Sequence, residues 1–205
     1  EHSDHVKGVG ILSRRLDLPV YINELTWKEA ESCIGNLDKK NKKIFENEFM
    51  IGNLGIKPFS ISHDAEDPVG YVIQYKNKKI GIATDMGYVP EKVKDKLKGL
   101  DFIVLEANHD LEMLMRGSYP YYLKKRIRSK IGHLSNDDTA DLLPDLIGDN
   151  FPSILLAHLS KDNNKKEIAY ITIKNILEDE GLKIGRDLQM EFTHRDKPTK
   201  LYEVG

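Results

Sequence analysis

The chain has 205 residues, of which 40% are hydrophobic and 31% charged, and its formal net charge is −2. This size and balance predict a single globular domain over residues 1–205. A net charge so close to zero excludes a global attraction to nucleic acid or anionic lipid, so polyanion binding would need a local patch. Neither a membrane-spanning apolar stretch nor a signal peptide is visible, and Cys33 is the single cysteine. We therefore expect a cytoplasmic protein with no membrane partner.

The first half of the chain contains two predicted helices and then a block of predicted strands. Apolar spacing predicts a helix over 6–16, a strand over 19–22 and a helix over 27–34, followed by a solvated lysine-rich loop at 38–43. Asn23 or Thr26 is the expected N-cap of the second helix. A strand over 57–63 then precedes a hairpin of 70–75 and 79–84.

The second half alternates predicted strands and helices. The expected elements are a helix over 90–98, a strand over 101–105, a helical segment over 110–130 broken at 117–120, a helix over 137–147, a strand over 151–157 and a helix over 165–180. One or two strands over 188–193 and 201–204 close the chain. Hairpins followed by alternating strands and helices predict an α/β or mixed sandwich with helices outside.

Ionisable residues stand at the ends of several of these strands. His63, Asp85 and His158 each close a predicted strand, and Glu106 and His109 follow another. Open α/β architectures gather their sites just outside strand ends, so these side chains are candidates for one site.

The first five residues, Glu1-His2-Ser3-Asp4-His5, combine two imidazoles with a carboxylate. Neutral imidazole nitrogens and a carboxylate oxygen suit zinc or a neighbouring divalent ion. The alternative is a solvated N-terminus, because charged termini also look like this.

Taken together, the motifs resemble the metallo-β-lactamase fold. The opening residues resemble the end of its His-x-His-x-Asp-His signature without the leading histidine. Further segments resemble one branch, the YycJ/VicX/WalJ group: Phe59-Ser60-Ile61-Ser62-His63-Asp64-Ala65, Thr84-Asp85-Met86-Gly87, Leu105-Glu106-Ala107-Asn108-His109-Asp110, Gly132-His133-Leu134-Ser135-Asn136 and Leu156-Ala157-His158-Leu159-Ser160. Ordered motifs over nearly the whole chain are a specific signal.

This resemblance implies an αββα sandwich with two divalent metal ions at the sheet edge. Zinc or manganese is the expected metal, with iron as a further candidate. His2 and His63 would join the leading histidine on one metal, and Asp85 would bridge the two ions. The remaining implied ligands of the second metal are Asp4, His5 and His158. A hydroxide between the metals would be the nucleophile. Because the leading histidine and the strands before it are not in the sequence, we expect an upstream N-terminal part to be missing.

The resemblance also implies a nuclease that acts on DNA from a 5′ end, with DNA favoured over RNA. Asp4, His133 and His109 are the expected catalytic residues, and His133 would donate a proton to the leaving group. His109 could instead orient the metal ligands, and Glu106 is expected to share that role.

Four residues are expected to bind substrate, with helix or turn capping as the alternative for most polar loop residues. They are Asn108, Ser160, Asn163 and Arg116. A basic run over 124–130 holds five cations and follows three tyrosines, so it is either a phosphate track or a solvated helix face.

Two other functions stay open at this point. Metal-activated water also attacks carbonyls, so the same fold could serve a thioester or lactone hydrolase. Without the leading histidine, the chain could instead be a non-catalytic interaction protein that has lost its metals.

Overall fold

A seven-stranded mixed sheet forms the centre of the computed structural model, which describes residues 1–148 and 150–204. Its strands lie in sequence order, β3 to β9. They are β3 (Phe49–Ile51), β4 (Leu54–Ser60), β5 (Val69–Tyr75), β6 (Lys78–Ala83), β7 (Phe102–Glu106), β8 (Ser153–Ala157) and β9 (Gln189–Phe192).

Strand direction decides where the chain can build a site. From β3 to β6 neighbouring strands are antiparallel, whereas β6, β7, β8 and β9 are parallel. Two antiparallel steps separate β4 from β6, so β4 runs in the same direction as the parallel strands. The C-terminal ends of β4, β6, β7, β8 and β9 therefore meet at one edge of the sheet.

Eight helices are found in the described part of the chain. They are α1 (Ser3–Val6), α2 (Val9–Leu16), α3 (Glu24–Ile34), α4 (Glu91–Leu97), α5 (Leu111–Arg116), α6 (Tyr121–Ile127), α7 (Asn136–Leu146) and α8 (Lys166–Asp179). None of these helices is both long and apolar enough to cross a bilayer. Asn23, one of the two expected N-caps, caps α3, and Ser135 caps α7 in a capping box.

The larger hydrophobic cluster joins one face of the sheet to α4, α7 and α8. Leu97, Leu143 and Ile173 represent the three helices, and Ile103 and Leu156 the strands; all five are fully buried. Burying a side chain of this kind contributes about 1.5–3 kcal/mol, so this layer anchors the strands whose ends carry the candidate site residues.

A smaller unit packs against the rest of the chain. The parallel strands β1 (Val20–Ile22) and β2 (Lys42–Ile44) form a two-stranded sheet, and a second hydrophobic cluster joins β1 to α1 and α3 around Trp27. The ring of Tyr21 stacks on Phe49 at 4.9 Å, which connects the small sheet to the large one. Two sheets with flanking helices confirm the predicted α/β class.

Several predicted element bounds were wrong. The segment 38–43 was predicted as a loop, but its last residues belong to β2. The strand forms because β2 pairs with β1 through backbone hydrogen bonds, which the lysine-rich composition does not reveal. Strand β3 was not predicted, and β4 ends at Ser60, which leaves His63 in a loop. Residues 201–204 form no strand, and Leu201 is 95% exposed.

Three loops at the C-terminal edge are tied together by close backbone contacts. The amide of Gly87 donates to the carbonyl of Ser62 over 2.8 Å, and the Ser62 hydroxyl donates to the carbonyl of Lys130 over 2.6 Å. A Cβ built on Gly87 would lie 2.2 Å from the carbonyl carbon of Lys130. Glycine is therefore required at this position for steric reasons.

We expect Gly87→Ala to lower the free energy of unfolding by about 1–3 kcal/mol, because backbone cannot yield as a flexible side chain can. Denaturant unfolding followed by circular dichroism measures this change. Gly8→Ala is the control, since a Cβ there meets no heavy atom within 4 Å. Equal unfolding midpoints for the two variants would contradict the proposed contact.

Candidate metal centre

The candidate site residues converge at the C-terminal edge of the large sheet. His63 follows β4, Asp85 follows β6, Glu106 ends β7 and His158 follows β8. Helix α1 and the residue before it bring the opening motif, His2 to His5, to the same place. The sheet direction thus unites residues that are far apart in sequence.

Asp85 lies at the middle of this cluster. One of its carboxylate oxygens, Oδ2, is 3.2 Å from Nε2 of His5. Its other oxygen, Oδ1, is 3.6 Å from Nε2 of His63 and 3.5 Å from Nε2 of His158. Three imidazoles from three parts of the chain therefore face a single carboxylate.

Two smaller groups flank Asp85. On one side, Oδ2 of Asp4 lies 3.3 Å from Nε2 of His158 and 3.7 Å from Nε2 of His5. On the other side, Nδ1 of His2 lies 3.3 Å from Nε2 of His63, which is also 3.4 Å from Oδ1 of Asp64. These side chains thus lie in two groups on either side of Asp85, with Asp64 beside His2 and His63.

The spacing and chemistry of these donors fit a divalent cation. Two N or O ligands of a tetrahedral zinc ion lie roughly 3.3–3.6 Å apart, given metal–ligand distances of about 2.0–2.2 Å. Donor atoms of Asp4, His5 and His158 all lie within 4.8 Å of one another, and so do those of His2, His63 and Asp64. The cluster is therefore suited to hold metal.

Backbone conformation supports the same conclusion. Asp85 and His158 have φ angles of 61° and 55°, in the left-handed region that residues other than glycine seldom adopt. Such conformations cost on the order of 1–3 kcal/mol each and tend to occur at functional sites. Both strained residues place their side chains in the cluster.

Glu106 connects the cluster to the protein interior. Its side chain is fully buried, and its Oε1 accepts hydrogen bonds from Nδ1 of His133 over 2.7 Å and Nδ1 of His158 over 2.9 Å. A carboxylate can only accept, so both imidazoles carry their proton on Nδ1 and leave Nε2 for other partners. His63 is oriented in the same way by the carbonyl of Gly132, 3.0 Å from its Nδ1.

The pKa shifts of His5, His158 and Asp85 show that this side of the cluster favours positive charge, whereas burial lowers the pKa of His63. The neighbouring carboxylate of Asp85 raises the pKa of His5. Burial opposes protonation of His158, but the hydrogen bond to Glu106 and the charge of Asp85 outweigh it and raise its pKa to about 9. Burial likewise raises the pKa of Asp85, yet the nearby His5 and His158 bring that pKa well below its usual range. A bound cation would supply the same positive charge.

The two other histidines named as catalytic occupy different surroundings. His133 is mostly buried, and its ring centroid lies 5.0 Å from that of His63 and 5.2 Å from that of His158. His109 is 1% exposed, and neither of its ring nitrogens has a hydrogen-bond partner among the described residues. Only His133 is therefore in contact with the cluster.

The four predicted substrate-binding residues separate in the structure. Asn108 donates from Nδ2 to the carbonyl of His158 over 2.9 Å and, with Ser160, lines a cleft beside the cluster. Asn163 is 1% exposed and donates to the Ser160 hydroxyl, as a turn residue does. Arg116 pairs with Glu112 at 2.6 Å on the exposed side of α5, outside that cleft.

The basic run does not form one continuous track. Lys124 donates to the carbonyls of Met115 and Gly117 and so completes the end of α5. The Lys130 ammonium lies over the ring of Tyr88. Arg126 pairs with Asp64 and is the member of the run that lines the cleft.

Sequence reasoning missed the other cations of the cleft. They are Lys161, Lys165, Lys166 and Arg195. Lys161, Lys165 and Arg195 stand in polar segments between elements and Lys166 begins α8, so no long charge run marks them. Glu106, by contrast, could be found from the sequence, because its position at the end of a predicted strand indicated that it lies beside the ligands.

Comparison with known proteins identifies the family. Residues 1–158 match the model described as a beta-lactamase superfamily domain. The chain belongs to the metallo-β-lactamase superfamily. It is 43% identical over 206 residues to exodeoxyribonuclease YycJ of Bacillus anthracis, covering all of this chain and 78% of that protein. Exodeoxyribonuclease WalJ of Streptococcus pneumoniae is 40% identical over 208 residues, covering all of this chain and 77% of that protein.

A solved structure supports the fold. The metallo-β-lactamase fold protein YhfI from Bacillus subtilis superposes with a TM-score of 0.68 at 13% identity, covering 97% of this chain and 73% of that one. At this identity the likeness concerns the fold alone. The predicted fold and the resemblance to the YycJ/WalJ group are both confirmed.

We expect Glu106→Gln to weaken metal affinity about 10- to 100-fold, because the negative charge beside both imidazoles is lost and the new NH2 group would face the Met86 and Leu134 amides, which also donate. Competition with a chromophoric chelator measures the affinity. Glu112→Gln, an exposed position on α5, is the matched control. If both variants bound metal as tightly as the parent, Glu106 would not orient the ligands.

His109 should make the protein sensitive to acid. Its burial lowers its pKa to about 4, whereas a solvated histidine has a pKa of about 6.5. Between pH 6.5 and pH 4 His109 is protonated in the unfolded chain but neutral in the folded protein. The free energy of unfolding therefore falls by up to about 3 kcal/mol as the pH drops from 6.5 to 4.

Denaturant titrations at a series of pH values test this dependence, with a chelator present so that metal release does not contribute. His109→Leu should show a shallower decline than the parent over this window. Parallel curves for the two proteins would mean that His109 protonates equally well in both states.

Proposed function

We propose that this protein is a metal-dependent nuclease that degrades DNA from a 5′ end. The observation that carries the proposal is the convergence of imidazoles and carboxylates around Asp85, with the Glu106–His133 pair beside them. The similarity to two proteins named exodeoxyribonucleases, which extends along all of this chain and 77–78% of theirs, supports the same activity. DNA rather than RNA is the proposed substrate because both relatives carry that name.

Two divalent cations, zinc or manganese with iron as a further candidate, are the proposed cofactors. His2 and His63 would hold one, Asp4, His5 and His158 would hold the other, and Asp85 would contact both. When bound, such ions polarise phosphoryl oxygens, lower the pKa of water and stabilise a leaving oxygen. Asp64 would add a negative charge beside the first of these ions, since its Oδ1 lies 3.8 Å from Nε2 of His2.

The protein's own side chains would position the reacting groups. Glu106 fixes the proton of His133 on Nδ1, so the proton that could pass to a leaving oxygen resides on Nε2 when the ring is cationic. His133 is therefore the proposed general acid, and Glu106 holds its orientation. Asn108 positions His158 through the carbonyl of that residue.

The alternatives raised by the sequence are not favoured. A thioester or lactone hydrolase has no use for a cleft lined by five cations next to the ligands. An interaction protein without metals would not need the strained backbone at Asp85 and His158. Both observations agree better with a phosphodiester substrate.

The direct test uses DNA labelled at one end and Mn²⁺. We expect a label at the 5′ end to be released as a short product before the strand as a whole shortens, and a label at the 3′ end to be retained. RNA of the same sequence serves as the comparison. A protein that contains metal but cleaves neither nucleic acid would overturn the proposal.

Replacement of His133 by asparagine should lower the turnover number about 10²- to 10⁴-fold, the range typical for loss of a general acid. Metal content should stay unchanged, because His133 is not a proposed ligand. Steady-state cleavage of labelled DNA and elemental analysis of the same preparation check both statements. Turnover equal to that of the parent would exclude His133 from the reaction.

A further inference from the structure

Two buried asparagines outside the metal cluster face each other behind the loop that follows β7. Asn136 begins α7 and is fully buried, and Asn164 lies in the loop between β8 and α8 with 5% of its surface exposed. Nδ2 of Asn136 donates to Oδ1 of Asn164 over 3.1 Å, and Nδ2 of Asn164 donates to Oδ1 of Asn136 over 2.8 Å. Because each amide both donates to and accepts from the other, the pair fixes the orientation of both side chains.

Asn164 also holds the loop after β7 directly. Its Nδ2 donates to the carbonyl of Ala107 over 2.9 Å and to that of Asn108 over 3.2 Å. Its Oδ1 accepts a further hydrogen bond from the amide of Lys165 over 2.9 Å. A primary amide offers two hydrogens and one oxygen with two lone pairs, so this side chain is fully used within the protein. It has no capacity left to bind a substrate.

The loop that Asn164 holds is in contact with a candidate metal ligand. Nδ2 of Asn108 donates to the carbonyl of His158 over 2.9 Å. His158 has the left-handed φ of 55°, and its Nε2 lies 3.5 Å from Oδ1 of Asp85. Such a backbone conformation persists only where the surrounding structure over-determines it. Hydrogen bonds therefore lead from the buried amide pair to a strained residue of the cluster.

Backbone contacts join the same three segments. The amide of Asn108 donates to the carbonyl of Leu134 over 3.0 Å, and the amide of Ser160 donates to the carbonyl of Asn108 over 2.8 Å. Ala107 is fully buried between these segments. A buried carbonyl that loses its donor is unfavourable, so removal of the Asn164 amide is expected to shift the loop and carry the Asn108 side chain with it.

We propose that Asn136 and Asn164 are positioning residues of the metal centre. The pair sets the place of the loop after β7, and Asn108 transmits that placement to the backbone of His158. The inference rests on the proposed nuclease function and extends it to two residues that touch neither the cluster nor the substrate. Because His158 belongs to only one of the two groups of donors, the pair should influence one bound ion more than the other.

Asn164→Ala should weaken one of two Mn²⁺-binding steps about 10- to 100-fold, as loss of groups that orient ligands does, and leave the other step unchanged. Competition with a chromophoric chelator resolves the two steps. Turnover of end-labelled DNA at saturating Mn²⁺ should fall about 10²-fold, the effect of a small misplacement of catalytic groups. The KM for DNA should stay the same, because Asn164 does not contact the substrate.

Asn150→Ala is the matched control. Nδ2 of Asn150 likewise donates to two successive carbonyls of a neighbouring loop, Gly99 over 3.2 Å and Leu100 over 2.9 Å, but this loop lies before β7 at the opposite end of that strand. The control should lower the unfolding midpoint and leave both Mn²⁺-binding steps and turnover at the parent values.

A double variant tests the route through Asn108. If Asn164 acts through that residue, Asn164→Ala combined with Asn108→Ala should bind Mn²⁺ as weakly as Asn108→Ala alone, because contacts in one hydrogen-bond network are not additive. A loss equal to the product of the two single effects would contradict this route.

Asn136→Ala is the milder second variant, for the case that Asn164→Ala does not fold. It leaves Asn164 its bonds to both carbonyls, so a smaller loss in the same Mn²⁺-binding step is expected. If the folded variants bind both ions and cleave DNA as the parent does while their unfolding midpoints fall, the pair has only a structural role and the inference is overturned. A parent that binds Mn²⁺ but cleaves no DNA would overturn the nuclease proposal instead, and the metal titrations would still decide whether the pair positions the centre.

Discussion

The buried charge of Glu106 is the interaction on which the arrangement of the centre depends. A carboxylate removed from water costs several kcal/mol unless its oxygens are fully hydrogen-bonded. Here two imidazoles and the backbone amides of Met86 and Leu134 donate to it. These donors belong to three different loops. Because all of them hydrogen-bond to the Glu106 carboxylate, this one side chain holds the three loops together at the edge of the sheet.

Strain at Asp85 and His158 is a second consequence of this arrangement. The left-handed backbone at these residues turns each side chain back toward the cluster immediately after its strand ends. Burial of Leu105, Leu156 and Met86 around the loops opposes relaxation of that strain. The donors are thus held close together before any cation binds, which limits the reorganisation needed on binding.

The sequence allowed the fold class, most elements and the convergence of His63, Asp85 and His158 to be predicted, because strand tips in α/β proteins share an edge. It could not reveal β2, since the pairing that makes residues 42–44 a strand is non-local. The expectation that the basic run at 124–130 could form one phosphate track was wrong, because neighbouring residues of a helix point in different directions. The cations of the cleft come from three separate segments, which hold Arg126, the lysines of 161–166 and Arg195, and only the tertiary structure unites them. The ligand roles and the single-domain organisation stay predictions.

The centre lies between the two hydrophobic clusters, which share no residue. Asp4 belongs with the smaller unit and His158 with the larger one, and 154 positions along the chain separate them. A cation held by both would act as a cross-link that closes a very long loop, and it would be lost when either unit opens. Metal occupancy would then make the two units melt together, whereas the apoprotein would be able to lose its N-terminal helices while the large sheet persists.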